Sequence, residues 1–593
     1  MKGVLLWLRT VRGLGVRQIV ARPLRPLVRG ALRHAIQPRS FPPAGDALAA
    51  VAATLRVLRP VVESFPDDRG LPRTHSEVAE DAARGLFRFQ GLTRDLGSLP
   101  DWTARVESRL WTYHLHYFEI AESLARSYRA NGADRHLDLL RKLVSSWIDA
   151  TADQLGDGWD PYPTSTRIVR WVRALALVAD DLDPAFLARW VASLEHQARY
   201  LARCVEHHVG GNHVVRNYTA LILAGAVLPP PTGKRLLRRG RAGLRRQLRR
   251  QVLADGVHYE RSPMYHALVL EDLLQAVAIA EATEGGRWAA EHAIGRRMAS
   301  AARVFVRPDG SWHQFGDAAA GHALTPAALA SIARAVLAWS PPEPAGVIDL
   351  AASGFHGWAE PARRTKFLTR CGAFGAADQP GHAHCDLLSF ELWIEGAPVV
   401  VDTGVRDYGL DADRSYARST GAHNTAKLGE AEQAEIWSSF RVGRRPRARL
   451  VESSSDEGAY RFRGECRAYH SKALHCREVH GEGATWTIRD RVDRRWRGRV
   501  TVPLHLDPSW QPAGAAPPTF VAPVGTLVLR TAGYDEVRTL AGGHGAVRGV
   551  RFPAFGVAEE CAAVVMTIRA NDGRDANLAI RLDSAQAGVG ATP

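Results

Sequence analysis

From about residue 45 to 340 apolar positions recur with helical spacing, as in "HLDLLRKLVSSWIDA" (136–150), "RIVRWVRALALVADDL" (167–182) and "YHALVLEDLLQAVAIAEA" (265–282). In the last of these Leu270, Leu273, Leu274 and Val277 fall at i, i+3, i+4 and i+7, one face of a helix. Many helices joined by short polar segments predict an all-α layer. The Arg-dense stretch "GKRLLRRGRAGLRRQLRRQVL" fits it: Leu237, Leu244, Leu248 and Val252 keep one face apolar while arginines cover the rest, as a solvated face or as a polyanion site. Beyond the Pro-rich joint "WSPPEPAG" (339–346) the texture changes to short alternating runs bounded by Gly, Asp and Pro, such as "LLSFELWIEGAPVVVDTG" and "ATWTIRDRV", which predict antiparallel strands. The pattern divides the chain into a basic segment over 1–45, a helical domain over 46–345 and an antiparallel β domain over 346–593, an α+β multidomain protein.

Length agrees, since 593 residues exceed what one ordinary core holds. A net charge of +15 and a pI near 9.9 point to an anionic partner: nucleic acid, a membrane surface or an acidic polysaccharide. Six lysines beside abundant Arg and Ala are equally what genome composition alone produces. The six cysteines form no C-x-x-C pair, which removes zinc ribbons and thioredoxin-like motifs and predicts free thiols; Cys466 and Cys476 are the pair that neighbouring strands could bring together. The start, "MKGVLLWLRTVRGLGVRQIVARPLRPLVRG", has a six-residue apolar run followed by regularly spaced arginines, a poor secretory signal. No window is apolar enough for a transmembrane span, and this basic stretch is either an N-terminal helix or a peripheral membrane contact.

Three segments concentrate polar groups amid apolar sequence. In "GGNHVVRN" (210–217) two glycines break a helix and Asn212-His213 open the next, where an amide and the positive end of the helix dipole suit a carboxylate, or where Asn212 is only a cap. In "DGVHYERSPMYH" (255–266) His258, Tyr259, Glu260, Arg261, Tyr265 and His266 surround Pro263 at another loop-to-helix junction. In "PGHAHCDLLSFEL" (380–392) His382 and His384, two apart on an extended chain, face one way and either share a metal or divide two tasks. With "VVVDTG" and "STGAHNT", His384, Asp402 and His423 make two imidazoles and a carboxylate, a divalent-metal set. No G-x-S-x-G elbow, P-loop or H-E-x-x-H occurs, and Glu260, Glu271 and Asp272 are the only carboxylates nominated for the pair a glycosidase needs.

Read in order, "GNH", "SPMYH", "GHAHCDLLSFEL", "VVVDTG" and "HNT", with the upstream "LWTYHLHYFE" and "GWDPYPTSTRIVRW", resemble the heparinase II/III family of polysaccharide lyases. The resemblance implies an incomplete (α/α) toroid followed by a sandwich of antiparallel sheets, and β-elimination on a uronate-containing, glycosaminoglycan-like polysaccharide that leaves unsaturated uronate ends. It implies Asn212, His213, Tyr265 and His382 as the catalytic set: Asn212 and His382 neutralise the uronate carboxylate, Tyr265 donates to the leaving oxygen, and His213 or Tyr265 takes the C5 proton according to epimer. It places a zinc or manganese ion, shaping the cleft floor, at His384, Asp402 and His423. His116, Trp159, Tyr162, Arg167, Arg261, His266 and Tyr408 are the substrate-binding candidates. The implied partner is an anionic polysaccharide and not nucleic acid. The weak signal and arginine-rich start look like relatives associated with bacterial exopolysaccharide production or with intracellular breakdown of imported oligosaccharides, and point to the cytoplasm before the periplasm or secretion. The alternatives are a non-catalytic exopolysaccharide-pathway protein on the same scaffold and a glycoside hydrolase on an (α/α) toroid.

Overall fold

A computed structural model describes residues 2–584 apart from 16–17, 21–22, 25–29, 32–34, 37, 40–44, 71–72, 155 and 571–574. Twelve described helices between Asp46–Glu63 and Pro326–Leu337 make the helical half. Their ends are written locally. Ser262 accepts from the Tyr265 N–H, Pro263 occupies the first turn, and Gly285, with φ +73°, closes Pro263–Glu284 in the left-handed conformation, a start and stop that satisfy end groups the helix cannot pair itself.

That helix departs from the one-faced reading. Leu268, Val269 and Ile279 are buried as fully as Leu270, Leu273, Leu274 and Val277, because neighbours pack on several sides of it, and such a helix is apolar all round. The Arg-rich helix Thr232–Gln251 does show a stripe, with Leu237, Leu244 and Leu248 buried. Its two inner glycines set how close it comes to Gly211–Val227: a Cβ at Gly243 would lie 2.1 Å from the Tyr218 ring, and one at Gly240 2.7 Å from Ile222. A small hairpin, Leu86–Phe89 with Leu92–Asp95, interrupts the helical half; its four-residue strands are too short for periodicity to show.

The second half is antiparallel throughout its named strands. Gly346–Leu350, Phe355–Glu360, Thr365–Arg370, Phe390–Ile394 and Ala397–Val400 form a five-stranded meander. An eight-stranded sheet runs from Arg447–Asp456 to Gln511–Ala515, and a four-stranded sheet centres on Gly498–His505 and Ala562–Ala570. The layers share one core, in which Phe367 stacks on Trp486 at 5.4 Å and Leu392, Val502 and Val564 are buried together. Register also settles the cysteines. Cys466 lies opposite His475 and Cys476 opposite Glu465, so the two thiols, one position out of step on adjacent strands, point to opposite faces, and all six cysteines are free.

Buried ion pairs and carbonyl contacts lock the halves together. Arg307 grips Glu391 through two bonds of 2.8 and 2.7 Å, and His313 adds a third at 2.6 Å. Lys366 donates to the carbonyls of Val304 and Val306 at 2.7 and 2.6 Å. The geometry of any cleft between the halves is therefore fixed by paired charges away from water.

Candidate active site

The helices Gly211–Val227 and Pro263–Glu284 begin at one end of the helical half, opposite the loop that carries His382 and His384. Gly210 and Gly211, with φ +80° and +57°, make the turn that delivers Asn212. A Cβ on Gly211 would stand 1.9 Å from Glu260 Oε1, so only glycine fits. Two side chains cap this helix from outside: Tyr259 OH accepts from the Gly211 N–H and Glu260 Oε1 from the Asn212 N–H, both at 3.2 Å.

Around this turn the side chains converge. The rings of Tyr265 and His382 lie 4.0 Å apart, the Tyr265 hydroxyl is 2.9 Å from that of Tyr408, and His213 stacks on Tyr162 at 4.3 Å. His213 Nδ1 meets Glu206 Oε2 at 3.1 Å, and its side chain is 31% exposed, whereas Tyr265 and His382 are 5% and 7% exposed as residues. The site therefore has a buried phenol and a buried imidazole on one side and an imidazole open to an incoming molecule on the other.

The hub beneath these groups is Asp317, which the sequence did not single out. It contacts His382 Nδ1 and His384 Nε2, each at 2.8 Å, and Arg414 grips both its oxygens. Its own N–H donates to the His382 carbonyl at 3.0 Å. Burial pushes the Asp317 carboxyl up, but Arg414 and the two histidine bonds outweigh burial and hold it well below the usual range. An ionised carboxylate only accepts, so His382 and His384 both carry a proton on the nitrogen facing Asp317. The pair two residues apart does share one partner, and that partner is a carboxylate.

Tyr265 is raised well above the ordinary phenol value by burial and then by Tyr408, so it enters the site protonated. Burial lowers His382, with Asp317 working against it, which leaves that ring neutral and its Nε2 turned toward Glu260 Oε2, 3.9 Å away. Burial lifts Glu260 to about 8, against the lowering effect of the Asn212 N–H. The unfolded carboxyl ionises near 4.5 while the folded one keeps its proton, so this group removes stability as pH rises from 4.5 to about 8. Glu260→Gln keeps an acceptor for the Asn212 N–H and cannot ionise. Urea midpoints across this window are expected to move in favour of the variant by up to about 1.4 kcal/mol per pH unit; parallel profiles would show that Glu260 is ionised throughout.

His384, Asp402 and His423 lie close together, with the two rings 5.3 Å apart. His423 Nδ1 pairs with Asp402 Oδ2 at 2.7 Å and Asp402 Oδ1 accepts from the Gly404 N–H at 2.9 Å. This leaves His384 Nδ1 and His423 Nε2 buried with no hydrogen-bond partner, two ring nitrogens of the kind that bind a divalent ion when unprotonated. Asp402 is turned to His423 instead, and among the described residues no group of three side chains is arranged around an ion. Both oxygens of Asp386 are buried without a hydrogen bond, and its charge helps to raise His423. The nitrogens fit a metal; the carboxylate placed in the set orients one of them.

Tyr162 and Tyr408 stand at the cleft, half-buried. Five other substrate candidates do not. His116 is 1% exposed and accepts from Trp147 Nε1 at 3.1 Å; Trp159 donates to the Thr151 carbonyl at 2.8 Å among Trp147 and Tyr200. Arg167 is fully buried over the Trp147 ring and bonds the carbonyls of His116 and Gly158. Arg261 spends its guanidinium on the carbonyls of Tyr259, Ser353 and Gly375, and His266 is enclosed between the His258 N–H and the Met298 carbonyl. These are supports of the toroid core and of the junction between halves. All five are buried, with most of their polar atoms paired internally and Arg167 Nη2 enclosed without a partner, so none faces a sugar.

Glu206, Asp317 and Arg414 are the site residues that the motifs missed, and Glu260 was nominated only as a glycosidase carboxylate. The one visible signal was Glu260 inside "HYERSPMYH"; Asp317 sits in "FGDAAAGH" with no other polar side chain beside it until His322.

Comparison with known proteins identifies the family. Residues 74–335 match a family profile described as "Heparinase II/III N-terminus" and residues 342–581 one described as "Heparinase II/III-like, C-terminal". The chain belongs to the heparinase II/III family. A heparin-sulfate lyase of Pedobacter heparinus is 25% identical over 358 residues, 55% of this chain and 53% of that protein. Another from Bacteroides thetaiotaomicron is 25% identical over 178 residues, 29% of this chain and 25% of that protein. The chain thus aligns with a quarter and about half of the lengths of these curated relatives. A heparinase III crystal structure superposes with TM-score 0.71 at 16% identity, covering 93% of this chain and 94% of that one. A heparan sulfate lyase structure from Pedobacter heparinus gives 0.63 at 20%, covering 91% and 90%. The family architecture, a helical N-terminal half and layered antiparallel sheets with no closed barrel, is that of this heparinase II/III member.

Proposed function

We propose that this heparinase II/III protein is a polysaccharide lyase that cleaves a uronate-containing, glycosaminoglycan-like polymer by β-elimination. The observation that carries the reading is the gathering of Tyr265 and His382, whose rings lie 4.0 Å apart, about the turn that delivers Asn212 and His213, with Glu260 reaching both the Asn212 N–H and His382. Elimination needs the C5 proton removed while the adjacent carboxylate is neutralised and the 4-O leaving group protonated. Asn212 at the helix start supplies a hydrogen bond to the carboxylate; His382, its Nδ1–H committed to Asp317, donates to that carboxylate from Nε2 once this nitrogen takes up a proton. Tyr265 holds its proton at rest, which suits it to the leaving oxygen. His213, oriented through Nδ1 by Glu206, presents Nε2 as the base.

The matched relatives are named heparin-sulfate lyases, which supports a glycosaminoglycan-like substrate here. The net positive charge favours approach of a polyanion. A panel of heparan sulfate, hyaluronan, chondroitin sulfate and alginate is expected to yield unsaturated-uronate absorbance from at least one polymer. No absorbance from any of them, with the fold intact, would sink the proposal. Products heavier by one water would mean hydrolysis; against it, Glu271 is held by Arg69 and Asp272 by Arg216, which leaves Glu260 of the nominated carboxylates without the second one that a glycosidase pair needs.

A divalent ion, zinc or manganese, is part of the proposal, held by the free nitrogens of His384 and His423. When bound it supplies a fixed positive charge to the cleft floor. Asp402, 2.7 Å from His423, is the carboxylate that would orient His423 or join the ion. Metal analysis of purified protein is expected to find close to one equivalent, lost in His423→Ala and reduced in Asp402→Asn. Undiminished metal in His423→Ala would refute this site.

A further inference from the structure

The first 45 residues hold nine Lys and Arg and no Asp or Glu, so they carry more than half of the net charge of +15. Within them the helix Lys2–Arg12 is tied to the body by its polar side chains. Arg9 pairs with Glu435 at 2.6 Å and Trp437 Nε1 donates to Thr10 Oγ1 at 3.0 Å. Further on, the buried amide of Gln18 donates to the carbonyls of Val209 and Asp378, each at 3.2 Å. Leu6 and Val11 are half-buried, but three large apolar side chains of the helix are left outside: Trp7 is 56% exposed, Leu5 49% and Leu8 47%, followed by Ile19, Val20 and Leu24, all exposed. An amphipathic helix ordinarily docks its apolar side on the protein; here polar groups make the attachment.

We propose that this face is a docking surface for an anionic lipid bilayer. Charge and apolarity occur together. The acids Glu435 and Asp378 are already matched, Glu435 by Arg9 and Arg444 and Asp378 by Arg250, and the segment adds nine basic residues and no acid, of which Arg39 meets Glu195 at 3.5 Å. Trp and Leu beside arginines are what an interfacial element needs, the rings and aliphatic groups entering the headgroup boundary and the guanidinium groups meeting anionic headgroups. A hydrated polysaccharide would use the arginines and gain little from Leu5, Trp7 and Leu8. Val209 and Asp378, where Gln18 holds on, directly precede the turns that deliver Asn212 and His382, so docking would set the mouth of the cleft close to the bilayer surface. The inference does not depend on the reaction catalysed.

The test is co-sedimentation of the full chain with vesicles of phosphatidylcholine plus phosphatidylglycerol and of phosphatidylcholine alone. The protein is expected to sediment with the anionic vesicles, less at high salt, and not with the neutral ones. The triple variant Leu5→Ser/Trp7→Ser/Leu8→Ser, whose positions are exposed, is expected to keep its unfolding midpoint and lose about tenfold or more of the partitioning. A difference spectrum between wild type and Trp7→Phe is expected to show the Trp7 emission shifting to the blue with anionic vesicles. Retention on immobilised heparin is expected to be unchanged in the triple variant. Failure of the wild type to sediment overturns the proposal, as does sedimentation of the triple variant equal to wild type. A triple variant that loses heparin retention and keeps vesicle binding also overturns it, by showing that the face serves a polysaccharide.

Discussion

Replacement of Tyr265 by Phe is expected to lower turnover of the responsive polysaccharide by ~100-fold or more while leaving the fold in place. The variant loses one oxygen. In the structure that oxygen meets the Tyr408 hydroxyl at 2.9 Å, and the Tyr265 ring, stacked on His382 at 4.0 Å, has no need of it for packing. The unfolding midpoint should therefore change little and KM should stay near its wild-type value, because the hydroxyl acts on the leaving oxygen in the transition state. A turnover within a few-fold of wild type would remove Tyr265 from the chemistry. Its raised pKa sharpens the assignment: a phenol pushed this far up by burial and by Tyr408 starts as an acid, which leaves proton abstraction to His213.

Asp317→Ala is expected to cost about 3–5 kcal/mol of stability, because it strands a buried guanidinium whose carboxylate has gone. Arg414 would keep only the carbonyls of Ser439 and Gly381, and His382 and His384 would each lose the bond that fixes the ring. Denaturant midpoints measure the loss directly, and a change below about 1 kcal/mol would mean that water or a neighbour replaces the carboxylate. Asp317→Asn separates stability from catalysis. It preserves volume, but its amide has one acceptor oxygen where three donors now converge, so His382 is expected to lose orientation and turnover to fall even where the fold survives.

Much of the catalytic cluster was legible because short strings named it. Asn212-His213 after two glycines and Tyr265 after Ser262-Pro263 sit at helix starts, and helix starts are written locally in caps, prolines and glycines. The strings also located His382, His384, Asp402 and His423. They could not say what each ring faces. Asp317 takes its partners from 65 to 97 residues away, and a lone aspartate in an apolar run gives no hint of that. The same blindness misplaced His116, Trp159 and Arg167: an aromatic or an arginine on an amphipathic helix reads alike whether its side of the helix lines a cleft or fills a core. Asp402 joined the metal set on its residue type and the family resemblance, neither of which says what its oxygens face; in the structure they meet His423 Nδ1 and the Gly404 N–H.

The sequence by itself determined the order of the halves, helices first and antiparallel strands after, because hydrophobic periods of 3.6 and 2 are properties of consecutive residues. It also determined which segments begin with a cap or a tight turn. Only the tertiary structure decided which polar groups are consumed internally and which remain for a ligand, because a hydrogen bond between distant segments exists only once packing has brought them together. His213 is left open and Arg167 is sealed over Trp147 for that reason alone.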